Sequence, residues 1–139
     1  MADILNVTID LNTDRFVTNF QPQAIGHLSS VVLGILETLD TDPPSDVPEF
    51  TVGAYEVRAV FNRTIGDFWN DHTLIEKGVK PPPNLRLPIF RVNYSPSLEN
   101  IARGVFQAFS PVVTQLFRKK LVYVTAKNSF YSSTTISGL

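Results

Sequence analysis

Cysteine is absent from this chain of 139 residues. No disulfide can staple it, and no thiolate is present to act as nucleophile or metal ligand. That absence fits a reducing compartment. There are only two histidines, His27 and His72. His27 reads as a surface or interface residue. Asp67, Asp71 and His72 lie close in sequence, and carboxylate–imidazole sets can bind metal, but no distant ligand completes the set. No Gly-rich phosphate loop precedes a helix, and no Gly-x-Ser-x-Gly elbow occurs. The expectation is therefore no catalytic residue, no metal and no cofactor.

Charge of one sign is also missing. The net charge is −1, so no global field draws in nucleic acid or an acidic membrane. No apolar run approaches the roughly 18 residues of a spanning helix. Met1-Ala2-Asp3-Ile4 lacks the basic-then-apolar layout of a signal peptide. These features predict a cytosolic or virion-type protein that meets no membrane, no small-molecule substrate and no sequence-specific nucleic acid.

What the chain does have is a 43% hydrophobic fraction, with ten Phe and ten Pro against seven Gly. That is enough for one core, and a domain of this length buries roughly two thirds of its unfolded surface. Over residues 4–12, Leu5, Val7, Ile9 and Leu11 alternate with Asn6, Thr8, Asp10 and Asn12, which predicts a strand with one wet face. Residues 22–39 carry Ile25, Leu28, Val31, Val32, Ile35, Leu36 and Leu39 at helical spacing, with Pro22 in the first turn. Gly26, Ser30 and Gly34 would then line a second, small-residue face suited to close approach by another helix. The Pro-rich segment 41–48, with Pro43 and Pro44, reads as a loop.

Tyr55, Val57, Ala59 and Phe61 alternate and predict a second strand over 50–61, with a bulge at Gly53-Ala54. Residues 62–84 are the least regular. Phe68 and Trp69 stand there, with Ile65, Leu74 and Ile75, on a short helix or a loop with an apolar underside, in a stretch that is a candidate partner-binding excursion, followed by the stiff connector Pro81-Pro82-Pro83. Phe90, Val92 and Tyr94 predict a third strand over 85–94. Ser95 as cap, Pro96 and Glu99 predict a helix over 96–117, either kinked at Pro111 or divided there. Leu121 to Lys127 reads as a central strand. The Ser/Thr-rich remainder, with Phe130 and Tyr131, reads as loose or ordered only against a neighbour. The expected fold class is α+β: a mostly antiparallel sheet of about four strands with two main helices on one face, in β-α-β-β-α-β order. A single domain is expected over 1–127, with a tail over 128–139.

Two resemblances add to this. Asn93-Tyr94-Ser95-Pro96-Ser97-Leu98-Glu99-Asn100-Ile101-Ala102 resembles a helix start of 6-pyruvoyl-tetrahydropterin-synthase-like proteins. That family binds zinc through three histidines, two of them in a His-x-His pair on its second strand. The corresponding residues here, Gly53-Ala54-Tyr55, contain no histidine, so the resemblance implies at most a divergent enzyme or ligand binder.

The second resemblance covers most of the chain and is to the head–tail joining, or neck, proteins of tailed bacteriophages. It is carried by four segments in order. They are the opening Val7 to Phe16, the helix expected over 22–39 running into the Pro-rich turn 43–48, the stretch Thr51-Val52-Gly53-Ala54-Tyr55-Glu56-Val57-Arg58-Ala59 standing where the family has Asp-Thr-Gly and the strand after it, and the late strand Leu121 to Tyr131. Departures are Val52 interrupting Asp-Thr-Gly, a single Asn128 for an Asn pair, and Phe130 in place of proline. The resemblance implies a non-enzymatic virion subunit that forms a homo-oligomeric ring and meets portal-adaptor or tail components. The residue pattern itself places candidate interfaces at Gly26, Ser30, Gly34, Pro43, Pro44, Phe68, Trp69, Pro81, Pro82, Pro83, Phe130 and Tyr131.

Overall fold

The opening alternation becomes strand β1 (Ile4–Asp10), whose Val7 and Ile9 are buried while Asn6, Thr8 and Asp10 are exposed. The structure, a computed structural model, describes residues 4–13, 16–17, 27–36 and 53–136. Strand β2 (Ser30–Leu36) pairs antiparallel with β1. On its other side it pairs with β5 (Lys120–Lys127), which in turn pairs with β6 (Ser132–Ile136). The sheet order is β1-β2-β5-β6, all antiparallel.

Residues 30–36 were expected in a helix and instead form an inner strand. Both of its edges are bonded, and its side chains are buried or half-buried along its whole length. A strand buried on both faces shows a continuous apolar run, and such a run satisfies a helical spacing by accident. β-Branched Val31, Val32 and Ile35 favour the pleated backbone. Gly34 has a specific reason to be glycine. The Tyr123 ring lies across it, and a Cβ at that position would sit 2.0 Å from the Tyr123 ring edge. The pairing slips between Gly34 and Ile35, leaving Val122 as the extra residue of a bulge.

The opposite exchange occurs at 54–61, expected as a strand and found as helix α1 (Ala54–Phe61). Val57, Val60 and Phe61 stand at i, i+3 and i+4 and are buried together. The alternation of Tyr55, Val57, Ala59 and Phe61 hid that stripe; Tyr55 lies 78% exposed. Extended Gly53 precedes the helix, and Glu56 sits in its first turn, where the dipole favours an anion. The helix runs on through a π-type turn (Asn62–Gly66) into the short α2 (Asp67–Trp69), so the least regular stretch of the sequence begins as a helix.

Strand β3 (Thr73–Glu76) then pairs in parallel with β4 (Ile89–Val92), a shorter strand than the 85–94 expected. Single bridges from Thr13 to His72 and from Val17 to Ile75 add the chain after β1 to this small sheet. Val17, Ile75 and Val79 make its own minor core.

Helix α3 (Leu98–Val112) begins at Ser97, not Ser95: the Ser97 hydroxyl accepts from Asn100 N at 3.1 Å. Pro111 lies inside α3 without ending it, and the rod continues as a π-type turn (Val113–Phe117) to Arg118, which is left-handed at φ 54°. The chain is therefore α+β, a four-stranded antiparallel sheet with two helical rods on one face. Val57 and Phe61 from one rod, and Ile101, Val105 and Phe109 from the other, share one core with Val7, Val31, Leu33 and Val124 of the sheet. Phe61 and Phe109 meet edge-on with centroids 5.4 Å apart. Each such fully buried side chain contributes about 1.5–3 kcal/mol.

Candidate interaction surfaces

The first surface is the turn between β5 and β6. The sequence reading left residues from 128 onward loose or dependent on a neighbour, whereas 132–136 pair with the chain's own β5. The Thr residues there favour a strand, and Thr125 and Thr134 join hydroxyl to hydroxyl across it at 2.7 Å.

Asn128 builds the turn. Its side-chain oxygen accepts from both Phe130 N (2.8 Å) and Tyr131 N (2.9 Å), while its own N–H donates to Tyr131 O (2.9 Å). An Asn side chain that satisfies the backbone in this way fixes a turn locally. At the base, Ser29 N and Oγ both donate to Lys127 O. Phe130 and Tyr131 therefore project from a defined hairpin, yet they are 81% and 73% exposed. Two large apolar rings left in water on a fixed turn are unusual for a monomer surface. Ile136, on the same outer strand, is also exposed.

The two sheet edges differ. At β1, Arg58 of α1 donates from Nε to Thr8 O at 3.1 Å and blunts the edge. β6 forms the opposite edge and pairs with no further strand among the described residues.

The second surface is an open cleft of about 580 Å3 between the α1–α2 rod, β4 and α3. Ile65 and Phe68 form one wall, Phe90 and Tyr94 the floor, and Gly104 and Ala108 the other wall. Phe68 and Phe90 are tilted together at 6.3 Å, and His72 meets Phe90 edge-on. Tyr94 packs against α3 over Gly104, where the missing side chain leaves room for the ring. A Cβ there would lie 2.9 Å from Tyr94 Cε1 and Oη. Burial pushes the Tyr94 phenol up to about 12, because the phenolate would lose its hydration. Beside the cleft, the Ser95 hydroxyl donates to Glu76 Oε1, and Asn100 Nδ2 donates to Ser95 O. These contacts hold the approach to α3.

The residues singled out by sequence scatter. Phe68 is 53% exposed at the cleft lip, but Trp69 is only 7% exposed and belongs to the core. Ser30 and Gly34 lie on β2, four residues apart and so on one sheet face; both are buried, and no helical small-residue face exists there. Pro81 and Pro82 are half-buried and Pro83 is exposed. Gly26, Pro43 and Pro44 lie outside the described residues. Phe130 and Tyr131 are exposed at the hairpin tip.

Among the described residues no three His, Asp or Glu side chains gather to hold a metal. His72 instead places Nδ1 2.8 Å from Asn70 O. Nor is any described helix long and apolar enough to cross a membrane. Asn128 entered the sequence reading only through the resemblance, without a role in the turn, and Gly104 had no role there. The signal for the first was an Asn between two β-rich runs; the second had only a glycine inside a helical pattern.

No known family profile matches the chain, and no curated protein matches it. The fold itself has a solved counterpart. The crystal structure of an uncharacterized protein from Wolinella succinogenes superposes with a TM-score of 0.68 at 12% identity, over 99% of each chain. At that identity the likeness is one of fold alone.

Proposed function

We propose that this chain is a non-enzymatic assembly subunit, specifically a neck protein of a tailed bacteriophage virion that forms a ring and meets portal-adaptor or tail components. One observation carries the assembly reading: a hairpin fixed by Asn128 that presents Phe130 and Tyr131 to solvent. A rigid aromatic pair is the kind of anchor that dominates protein interfaces, since little conformational entropy is lost when it docks. The phage context rests on the ordered sequence resemblance, in particular of residues 7–16 and 121–131. The helix and the strand that the resemblance sets over 22–39 and 51–59 are found instead as strand β2 at 30–36 and helix α1 at 54–61.

The test is to mix the full chain with purified portal and tail components, and to measure its own mass against concentration. Capture by either component, or concentration-dependent growth in mass, supports the reading. A strict monomer that binds neither overturns it.

The cleft favours a second reading, a divergent pterin-synthase-like ligand binder. Gly53, Ala54 and Tyr55, which that resemblance sets on a strand, lead into and begin α1 instead. Metal analysis and a pterin-induced melting shift test it; a null result in both removes it.

A further inference from the structure

We propose that two copies of this chain pair edge to edge, β6 against β6 in antiparallel register, joining their four-stranded sheets into one. The proposal rests on the assembly reading above and names a contact that would carry it. Three observations lead to it.

The first is the state of the edge. β6 pairs with β5 on one side and with no further strand among the described residues on the other. A free edge is a row of unspent backbone donors and acceptors, and chains protect it with a charge, a proline, a bulge or a cover. Ser132-Ser133-Thr134-Thr135-Ile136 holds no charge and no proline, and its pairing to β5 runs without a register shift. The opposite edge, β1, has Arg58 bonded to it. Pairing open edge to open edge uses up both, so the assembly of sheets stops at two copies.

The second observation is that the strand is complementary to itself. Residues 128–139 hold no charged side chain, so an antiparallel copy sets no like charges against each other. Centred on Thr134, the register places Thr134 opposite its own copy, Ser133 opposite Thr135, and Ser132 opposite Ile136. Each Ile136, 74% exposed, then stands next to the Phe130-Tyr131 tip of the other copy. One contact thereby brings together the three exposed large apolar side chains of this hairpin. Its affinity comes first from main-chain hydrogen bonds, as in any strand added to a sheet edge.

The third is the helical layer. α3 packs over both β5 and β6, so its axis lies about one strand spacing, ~4.8 Å, inside the seam. An antiparallel edge pairing has its two-fold axis across the sheet, which puts both α3 helices on the same face. They then stand about 10 Å apart, the distance at which helices pack. Phe106 and Ser110, both half-buried, lie on the flank of α3 opposite Gly104 and Ala108, and so toward the seam. The strand seam alone falls short of the roughly 800 Å2 per partner of a standard interface; the α3 flanks and the two aromatic tips add to it. The contact is isologous and closes as a dimer, so a ring would be built from dimers through a second, different patch.

The experiment uses the full chain and two variants at the centre of the register, Thr134→Lys and Thr134→Asp. Thr134 is exposed, and thermal melts show whether both variants fold; Ile136→Asp, which carries an acid into the seam, serves if either does not. Sedimentation velocity follows each protein alone and the two variants mixed. The expected result is wild-type mass that rises with concentration toward two chains, loss of association in each variant alone, and a heterodimer on mixing, because Lys then faces Asp where like charges faced each other. Either variant associating as wild type does, or a mixture no more associated than its components, overturns the β6 pairing and leaves the assembly reading standing. Wild type that is monomeric throughout also overturns the pairing. If it binds neither portal nor tail component as well, the assembly reading falls with it.

Discussion

Two aromatic pairs, Phe68-Trp69 and Phe130-Tyr131, look alike in the sequence and end in different circumstances. On the helical rod, adjacent residues diverge by about 100°, so one ring must turn inward when the other turns out. Trp69 goes into the core at 7% exposure, and Phe68 is left at the cleft lip. At the hairpin, Asn128 fixes the backbone and both rings face water. The first pair is divided between stability and surface; the second belongs to surface alone. An aromatic pair is thus a binding candidate only when the local backbone offers neither ring a way into the core.

That contrast can be broken by mutation. Trp69→Ala should lower unfolding free energy by about 3–5 kcal/mol in a denaturant titration, the usual range for emptying a large core site. A loss near zero would move Trp69 to the surface class. Next in size is a pH effect on the cleft floor. Below pH 10, the phenol's ordinary value, Tyr94 keeps its proton whether the chain is folded or not. Between 10 and about 12 the unfolded chain loses that proton and the folded one retains it, so stability falls as pH rises through this window. The drop is on the order of 2 kcal/mol and should be missing from Tyr94→Phe, as read by melts in alkaline buffers.

Asn128→Ala removes two exposed side-chain hydrogen bonds and should cost about 1 kcal/mol, while loosening the tip enough to weaken association. Smallest of all, Phe130→Ala should change stability by no more than about 0.5 kcal/mol. A large effect would mean that the tip supports the fold, and the contrast between the two pairs would collapse.

Sequence patterning served best where one face of an element is wet. The alternation of Leu5, Val7 and Ile9 located β1, the cap and stripe after Ser95 located α3 to within a turn, and the apolar run from Leu121 located β5. It failed where burial is two-sided or propensity points the wrong way. β2 is covered on both faces, so its period is hidden. α1 carries Tyr, Val and Phe, residues common in strands, on a helical stripe that tertiary packing selects. β6 was missed because Ser and Thr carry no hydrophobic period and its order comes from a partner strand. The cleft was illegible because its walls come from segments that meet only in three dimensions. Gly104 and Tyr94 are ten positions apart, and nothing local announces that one makes room for the other.

The account stands most directly on one paired measurement: mass against concentration for wild type and Phe130→Asp, with melting curves recorded on the same samples. It predicts coincident melts, wild-type mass rising above the 15.5 kDa of one chain, and a variant that stays there. Equal association by both proteins, or a wild type fixed at 15.5 kDa across the range, would contradict it.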